Sequence, residues 1–484
     1  NFIMLSNLKT KLAKFNKVLK TLRKMLSAIV RTHKLSFQSS RSAHIGLYIV
    51  VIIISILPFV NSFLSGKVID SLIQTVSNPN NLNAFLYIVI IYIVFLSSEI
   101  IISTIRSYFD TINFIEFDKF ITVLLNKAFS KIDIAHYENA KTNDNIQKAK
   151  DSYDHRLNNI LHFSQYTISA LISVISGFTI LLYLSPFILT IIVFSSLPSF
   201  LTNIIFGKRK YGLWNEDADI RRNYWDTQRY LLVENSLKEL KIFNLREKIL
   251  NNLNNMLTKF QDRQKKVEVK RTIFSGFLSI ITALGFGFSY WLLAQKAIIG
   301  DITIGEFTFY VTTIRVTSSS ISSIFDYFSS LYENSLYTLD VFKVLDLKPI
   351  IKSGNVVINN TTPPTIEFKN VDFSYPSNKD LVYKNLNFKI KPGEKIAIVG
   401  QNGAGKTTLI KILSRFYDVT KGELLINGTN IKEIDINSWY SNLAILSQEF
   451  VKFHYDAKTN ISLGNYKDYN FNKVIESSKL SGAN

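Results

Sequence analysis

The first 345 residues alternate between apolar runs and polar stretches, and the runs set the architecture. Residues 47–57, 85–96 and 187–194 carry almost no polar side chain. Runs of that kind sit within segments near the twenty or so residues that cross about 30 Å of hydrocarbon. The pattern predicts six spans, at 43–64, 84–106, 164–184, 187–206, 273–299 and 304–330. Ahead of them, Leu5, Leu12, Leu19 and Leu26 recur every seven residues, with Leu8, Phe15, Leu22 and Ile29 between. Lys9, Lys11, Lys14, Lys17, Lys20, Arg23, Lys24, Arg31, Lys34 and Arg41 share that stretch with no acid. Residues 1–42 therefore read as a basic amphipathic helix suited to a lipid bilayer with an anionic inner leaflet. A coiled-coil seam or an organelle targeting segment fits the same spacing.

The connections between spans differ in charge. Those near 65–83, 185–186 and 300–303 hold Lys67 as their one basic residue, whereas 107–163 and 207–272 are long and rich in Lys and Arg. By the positive-inside rule the amino terminus, both long connections and everything after the sixth span are cytoplasmic. Lys208, Arg209, Lys210, Lys265, Lys266, Lys270 and Arg271, hugging two membrane ends, are the strongest witnesses. The nearly charge-balanced stretch 107–163 takes its side from alternation alone. Leu231, Leu232, Leu237, Leu240, Ile242 and Phe243 keep helical spacing, so the membrane helices are expected to run on into the cytosol.

Composition changes this picture in two respects. The 56 Lys and Arg against 37 Asp and Glu give a net charge of +19. Beside membrane spans such an excess reports topology and anionic lipid, and without a recognition motif no nucleic-acid partner is expected. Cysteine is absent, which excludes disulfides, thiolate metal sites and thiol nucleophiles.

Between 346 and 364 the periodicity breaks at Lys348-Pro349, Ser353-Gly354-Asn355 and Thr361-Thr362-Pro363-Pro364, the mark of a linker between a membrane domain (43–345) and a soluble α/β domain (365–484). In the latter, 395–399 reads as a short apolar strand, and Gly400, Gln401, Asn402, Gly403, Ala404, Gly405, Lys406 and Thr407 follow it as G-x-x-x-x-G-K-[ST]. Leu409, Ile410, Ile412 and Leu413 then give helical spacing. Glycines at 400, 403 and 405 let the backbone wrap a phosphate chain without a clashing Cβ, while backbone NH groups and the helix amino terminus supply positive charge. Lys406 is placed to reach the β- and γ-phosphates of ATP, and the Thr407 hydroxyl to ligate Mg²⁺.

The surroundings of this loop are more specific. Phe373-Ser374-Tyr375-Pro376 lies upstream, Lys391-Pro392-Gly393-Glu394 precedes the strand, and a second apolar strand, 443–446, ends at Ser447-Gln448-Glu449. With six spans ahead of the loop and Gly300-Asp301-Ile302-Thr303-Ile304-Gly305 between the last two, the chain resembles ATP-binding-cassette (ABC) exporters over nearly its whole length. Residues 460–464 resemble that family's segment after its Gln loop. The resemblance implies an α-helical membrane domain with six transmembrane helices, followed by a partial α/β P-loop NTPase domain. It implies that Tyr375 stacks on adenine, that Gly400 through Thr408 hold ATP, that Lys406 and Gln448 serve catalysis, and that Thr407 and Gln448 approach Mg²⁺. It also implies coupling helices around 137–150 and 222–234, a second half-transporter subunit as partner in a homo- or heterodimer, and a bacterial plasma membrane as the site of action. The implied work is ATP-driven export of an amphipathic or lipid-like solute. A noncatalytic ATP-sensing subunit is the competing function, and import differs only in direction.

The family's signature segment, general-base Glu and switch His have no match in residues 1–484. Residues 480–484 come too early for the signature and lack its following Gly-Gln. The chain is therefore expected to be truncated before these elements and, alone, to bind nucleotide weakly without turning it over. Two charges fall inside predicted spans, Glu99 and Arg315, roughly 22 and 17 Å from the outer surface at 1.5 Å per residue. Either Arg315 with Thr312, Thr313 and Ser318 to Ser320 lines a polar substrate cavity together with Glu99, or the two form an internal salt bridge or lie near the inner water face. Pro58 and Pro198 are expected to kink their helices.

Overall fold

The computed structural model describes residues 2–483 apart from 217, 359–361, 377, 379, 448–449 and 467–468; side chains are described only in part within 2–18 and 199–222 and at a few other helical positions. Among these residues ten helices precede the sheet: α1 (Phe2–Ser39), α2 (Arg41–Ser77), α3 (Leu82–Phe129), α4 (Ile134–Glu138), α5 (Ala140–Leu184), α6 (Pro186–Glu216), α7 (Ala218–Leu232), α8 (Glu234–Ile242), α9 (Arg246–Ile299) and α10 (Ile304–Leu345). The chain divides into two compact units, Asn1–Asn126 with Lys148–Lys343, and Lys127–Gln147 with Val344–Asn484.

In the first unit all six expected spans fall within helices, α2, α3, α5, α6, α9 and α10. Four helices are long and apolar enough to cross a membrane: Arg41–Ser77, Pro79–Phe129, His155–Leu184 and Arg246–Ile299. In α6 the apolar stretch among the described residues is the short Pro186–Pro198. In α10 the hydroxyls of Thr308, Thr312, Thr313, Thr317 and Ser318 to Ser320 dilute the apolar character of the run. Extension beyond the hydrocarbon is plain in α9, whose 54 residues measure about 80 Å at 1.5 Å each. Pro58 and Pro198 both lie inside helices, α2 and α6.

Water is no driving force between helices in hydrocarbon, so close packing and shared hydroxyls hold such bundles. Ser55 Oγ donates to Ser169 Oγ at 2.8 Å and Ser173 Oγ to the Ser55 carbonyl at 3.0 Å, joining α2 to α5. Ser196 and Ser318 meet at 3.2 Å between α6 and α10, and Thr282 Oγ1 donates to the Ser195 carbonyl at 2.8 Å between α9 and α6. At Gly177 a Cβ would run into the Thr317 side chain, so α5 and α10 touch through that glycine. Near the amino terminus, Ser36 Oγ of α1 donates to Asn113 Oδ1 of α3 at 3.0 Å. The ring of His33 packs edge-on to His44 and Tyr48. Burial, and then the neighbouring His44, pushes His33 down to about 4.

The connection between α9 and α10 has a complete local explanation. Gly300, at φ 89°, ends α9 in the left-handed region that suits glycine. Thr303 and Glu306 form a capping box: Thr303 Oγ1 accepts from Glu306 N at 3.0 Å, and Thr303 N donates to Glu306 Oε2 at 3.0 Å. Asp70 of α2 accepts from Gly305 N at 2.7 Å and from the Thr303 hydroxyl at 2.6 Å. A Cβ on Gly305 would collide with the Gly66 carbonyl and the Asp70 carboxylate, so α2 and α10 meet backbone to backbone here.

The second unit is built on β1 (Ile366–Phe373), β2 (Tyr383–Ile390), α11 (Lys406–Leu413), β3 (Lys421–Ile426), β4 (Thr429–Asn430), α12 (Ile436–Tyr440), α13 (Ala457–Ser462) and α14 (Phe471–Leu480). The sheet order is β2-β1-β3-β4, antiparallel throughout, with Ile366 opposite both Ile390 and Ile426. Asn427 and Gly428, at φ 51° and 81°, make the tight β3–β4 turn. Phe368, Val371, Phe373, Leu424 and Ile426 of the sheet form one core with Leu409 and Ile412 of α11, Trp439 of α12 and Ala135 of α4. Arg415, 1% exposed, donates to the carbonyls of Ile434 and Lys352 at 2.7 Å each and of Lys432 at 3.2 Å, and reaches Asp418 at 3.4 Å.

The strands expected at 395–399 and 443–446 are corrected: neither stretch has strand structure, and Val399 and Leu446 are 89% and 88% exposed. A central parallel strand takes its ladder and both its covered faces from neighbours. Among the described residues neither stretch pairs with a strand.

Candidate nucleotide site

The loop of 400–405 delivers its backbone to the amino terminus of α11. Gly403 and Gly405 take φ of 86° and 89°, and Gly405 precedes the first helical residue. Lys406 turns its ammonium back into the loop, donating to the carbonyls of Gly400 and Gln401 at 2.7 Å each. A cation in the hollow, left-handed glycines and a helix amino terminus converge on one place, a donor set that fits a chain of phosphates. Gln401, Asn402 and Ala404 are exposed along the loop. Thr407 is exposed on the first turn, whereas Thr408 is buried.

Tyr375 sits beside this turn. Its hydroxyl lies 2.9 Å from Thr408 Oγ1, and its ring meets Phe373 and Tyr417 edge-on at 5.1 and 5.3 Å. Tyr383 of β2 donates to the Gly405 carbonyl at 2.7 Å, and burial, then the adjacent Tyr375, holds its hydroxyl above the usual range. The structure thus groups Tyr375 with Thr408, and Lys406 with Gly400 and Gln401. Gln448 lies outside the described residues.

One turn further along α11, Lys411 places its ammonium 5.2 Å from the Tyr375 ring centre and 2.8 Å from Glu138 Oε1. Partial burial pulls Lys411 down, but the hydrogen bond to Glu138 and the charge of Tyr375 and Glu138 outweigh it and leave Lys411 above its ordinary value. The buried Tyr417 hydroxyl faces the same carboxylate without a hydrogen bond of ordinary geometry; burial and then Glu138 push it up. Glu138 comes from α4, which Asp133 ties down by accepting from the Ile350 and Ile351 amides, while His136 Nε2 lies 3.1 Å from the Lys348 carbonyl. Tyr383, Lys411 and Arg415 were not among the residues expected from the sequence, and Glu138 was covered only by the coupling helix expected around 137–150. None carries a local signal, since each acquires its role from partners distant along the chain.

Of the alternatives open for Glu99 and Arg315, the structure speaks against the direct salt bridge. Glu99 and Arg315 do not form an ion pair among the described residues. Glu99 Oε2 accepts instead from Asn61 Nδ2 at 3.1 Å, and Tyr92 donates to Asn61 Oδ1 at 3.0 Å, whereas Arg315 is exposed. Thr313 and Ser318, expected along a cavity, are buried between helices with Thr317. Their hydroxyls bond to the Phe309 carbonyl and to Ser196.

A phosphate-binding loop behind long apolar helices defines a membrane-bound nucleotide-binding protein. Residues 383–484 match the ABC transporter family. The chain is 26% identical to the subtilin transport ATP-binding protein SpaT of Bacillus subtilis over 459 residues, covering 95% of this chain and 74% of that one. It is 28% identical to a putative export ATP-binding/permease protein of Rickettsia typhi over 449 residues, 88% of this chain and 75% of that one. A shorter match, 29% over 226 residues, joins 47% of this chain to 38% of the ATP-dependent lipid A-core flippase of Methylobacillus flagellatus. The chain thus carries an ABC transporter domain at residues 383–484 behind an amino-terminal membrane domain, and the relatives it resembles over most of its length are named as transport or export ATP-binding proteins.

Proposed function

We propose that this chain is one subunit of a dimeric exporter that moves an amphipathic or lipid-like solute across a bacterial plasma membrane at the expense of ATP. The loop of 400–405 with Lys406 is the observation that carries the proposal, joined to relatives whose names include subtilin transport and lipid A-core flippase. The six helices α2, α3, α5, α6, α9 and α10 span the membrane, with the amino terminus and residues 346–484 in the cytoplasm. Residues 1–42 lie on the anionic inner leaflet. Lys406 exchanges its two loop carbonyls for the β- and γ-phosphates. The Thr407 hydroxyl, with Gln448, holds Mg²⁺, which would neutralise the charge that builds on the transferred phosphate. Tyr375 supports the adenine. The noncatalytic alternative is not favoured, because the phosphate loop departs nowhere from the binding pattern.

Photolabelling of the full chain in detergent with an azido-ATP tests the site. Lys406→Ala is expected to abolish labelling, and retention of wild-type labelling would refute the assignment. Residues 1–484 alone are expected to show no ATP turnover, because they carry no carboxylate in the position of a general base; measurable hydrolysis would overturn this.

A further inference from the structure

The paired cytoplasmic ends of α6 and α9 enclose a cavity of about 420 Å³ lined by Arg209, Gly212, Leu213, Arg263, Lys266, Val267 and Lys270. Among the described residues, the four charged side chains of this lining, Arg209, Arg263, Lys266 and Lys270, are cations. Of the two acids that adjoin the lining in sequence, Glu268 lines an adjoining cavity and pairs with Arg271 at 2.9 Å, and Asp262 is not part of the lining.

The level of the cavity can be read from the packing above it. Phe206 of α6 and Phe274 of α9 meet with ring centres 5.7 Å apart, where both apolar runs end. At 1.5 Å per residue, Arg209 lies about 5 Å below that level, Lys270 about 6 Å, Lys266 about 12 Å and Arg263 about 16 Å. The head-group layer of one leaflet is roughly 5–8 Å thick. Arg209 and Lys270 therefore stand at the depth of lipid phosphates, with Lys266 and Arg263 continuing the positive wall toward water. Gly212, Leu213 and Val267 give the cavity an apolar floor, and Phe206 and Phe274 extend apolar surface upward.

We infer that this cavity is a binding site for the phosphate head group of an anionic phospholipid, whose acyl chains lie along the Phe206 and Phe274 level. A cationic recess between membrane helices on the cytoplasmic side has the chemistry to hold such a head group. Water-soluble phosphate shares the charge but not the apolar continuation, so the lipid is the occupant. The inference rests on α6 and α9 crossing the membrane with these ends inside.

The test uses the full chain, purified in detergent and incubated with cardiolipin, with retained lipid counted by native mass spectrometry. Arg209→Gln with Lys270→Gln should lower retention roughly tenfold or more, since each cation near the surface contributes substantially to anionic-lipid binding. Lys248→Gln with Lys259→Gln removes the same charge from α9 outside the cavity and should leave retention unchanged. Arg209→Lys with Lys270→Arg should restore it and shows that loss is not misfolding. Equal loss in the cavity and control variants, or no loss in either, overturns the site. Competition by 10 mM inorganic phosphate as effective as by cardiolipin, on the order of equal displacement, overturns the lipid assignment. The topology is checked separately: because the chain holds no cysteine, single Asp301→Cys and Lys259→Cys variants report sidedness to a membrane-impermeant maleimide. Labelling of position 259 from outside intact cells would refute the membrane reading itself, independently of lipid retention.

Discussion

Removing the Arg415 guanidinium should unfasten the linker from the ATP-binding region. Its side chain is 1% exposed and holds three carbonyls, two of them at 2.7 Å, from Lys352 in the linker and from Lys432 and Ile434 ahead of α12. Hydrogen bonds from a charged donor are worth about 1.5–3 kcal/mol each, and they do not add. Breaking a buried charged network by deleting one partner costs about 3–5 kcal/mol. Arg415→Ala should therefore destabilise this unit by about 3 kcal/mol or more, lowering its unfolding temperature by roughly 10 °C. Arg415 also stands at φ 52°, a conformation that costs a residue with a Cβ about 1 kcal/mol. Arg415→Asn separates the two effects, because asparagine accepts the left-handed backbone but cannot span from Lys352 to Ile434. Differential scanning fluorimetry of the full chain, with limited proteolysis across 346–364, reads the outcome. Both variants should melt early and become cleavable in the linker, whereas Arg415→Lys, keeping the charge without the fork, should fall between. A shift under about 2 °C in both Arg415→Ala and Arg415→Asn would refute the argument.

Three further outcomes are expected. Glu138 and Lys411 are each about 30% exposed, so Glu138→Gln should weaken α4 docking by no more than about 1 kcal/mol; hydrogen exchange of the α4 amides should quicken up to fivefold, and the charge swap Glu138→Lys with Lys411→Glu should return most of it. Gly305→Ala drives a Cβ into the Gly66 carbonyl and Asp70, an overpacking worth about 1–3 kcal/mol, and should lower the melting temperature of the membrane region where Gly300→Asn, with open space around it, does so far less. His33, held near 4 against an ordinary 6.5, stays neutral in the folded chain while the unfolded chain takes up a proton. Its contribution is therefore lost as pH falls from 6.5 toward 4, so α1 amides should exchange faster relative to neutral pH at pH 5 in the wild type and less so in His33→Gln.

The helices were legible because a span is written in its own residues: every predicted span lies inside a helix, and the break at Gly300 is a single-residue signal. The phosphate loop was legible for the same reason, since Gly400 through Thr407 act through their own backbone. The strands at 395–399 and 443–446 were misread because apolar β-prone sequence specifies a strand only when neighbours complete its ladder. A cavity wall remained one alternative for the hydroxyl-rich face of α10 because sequence shows that Thr313 and Ser318 are polar but not that Ser196 and a helix carbonyl satisfy them. An ion pair of Glu99 with Arg315 was one alternative offered on charge alone, where Asn61 supplies a neutral donor. The pair of Glu138 and Lys411 is separated by 273 residues, and no local pattern announces it.

The fastening of α2 to α10 at Asp70, Thr303 and Gly305 bears on movement. Two long rods joined near one end by two short hydrogen bonds and a backbone contact swing together and are costly to part at that end. Any movement of these two helices against the rest of the bundle must therefore open along other seams, with the Asp70 junction serving as a pivot.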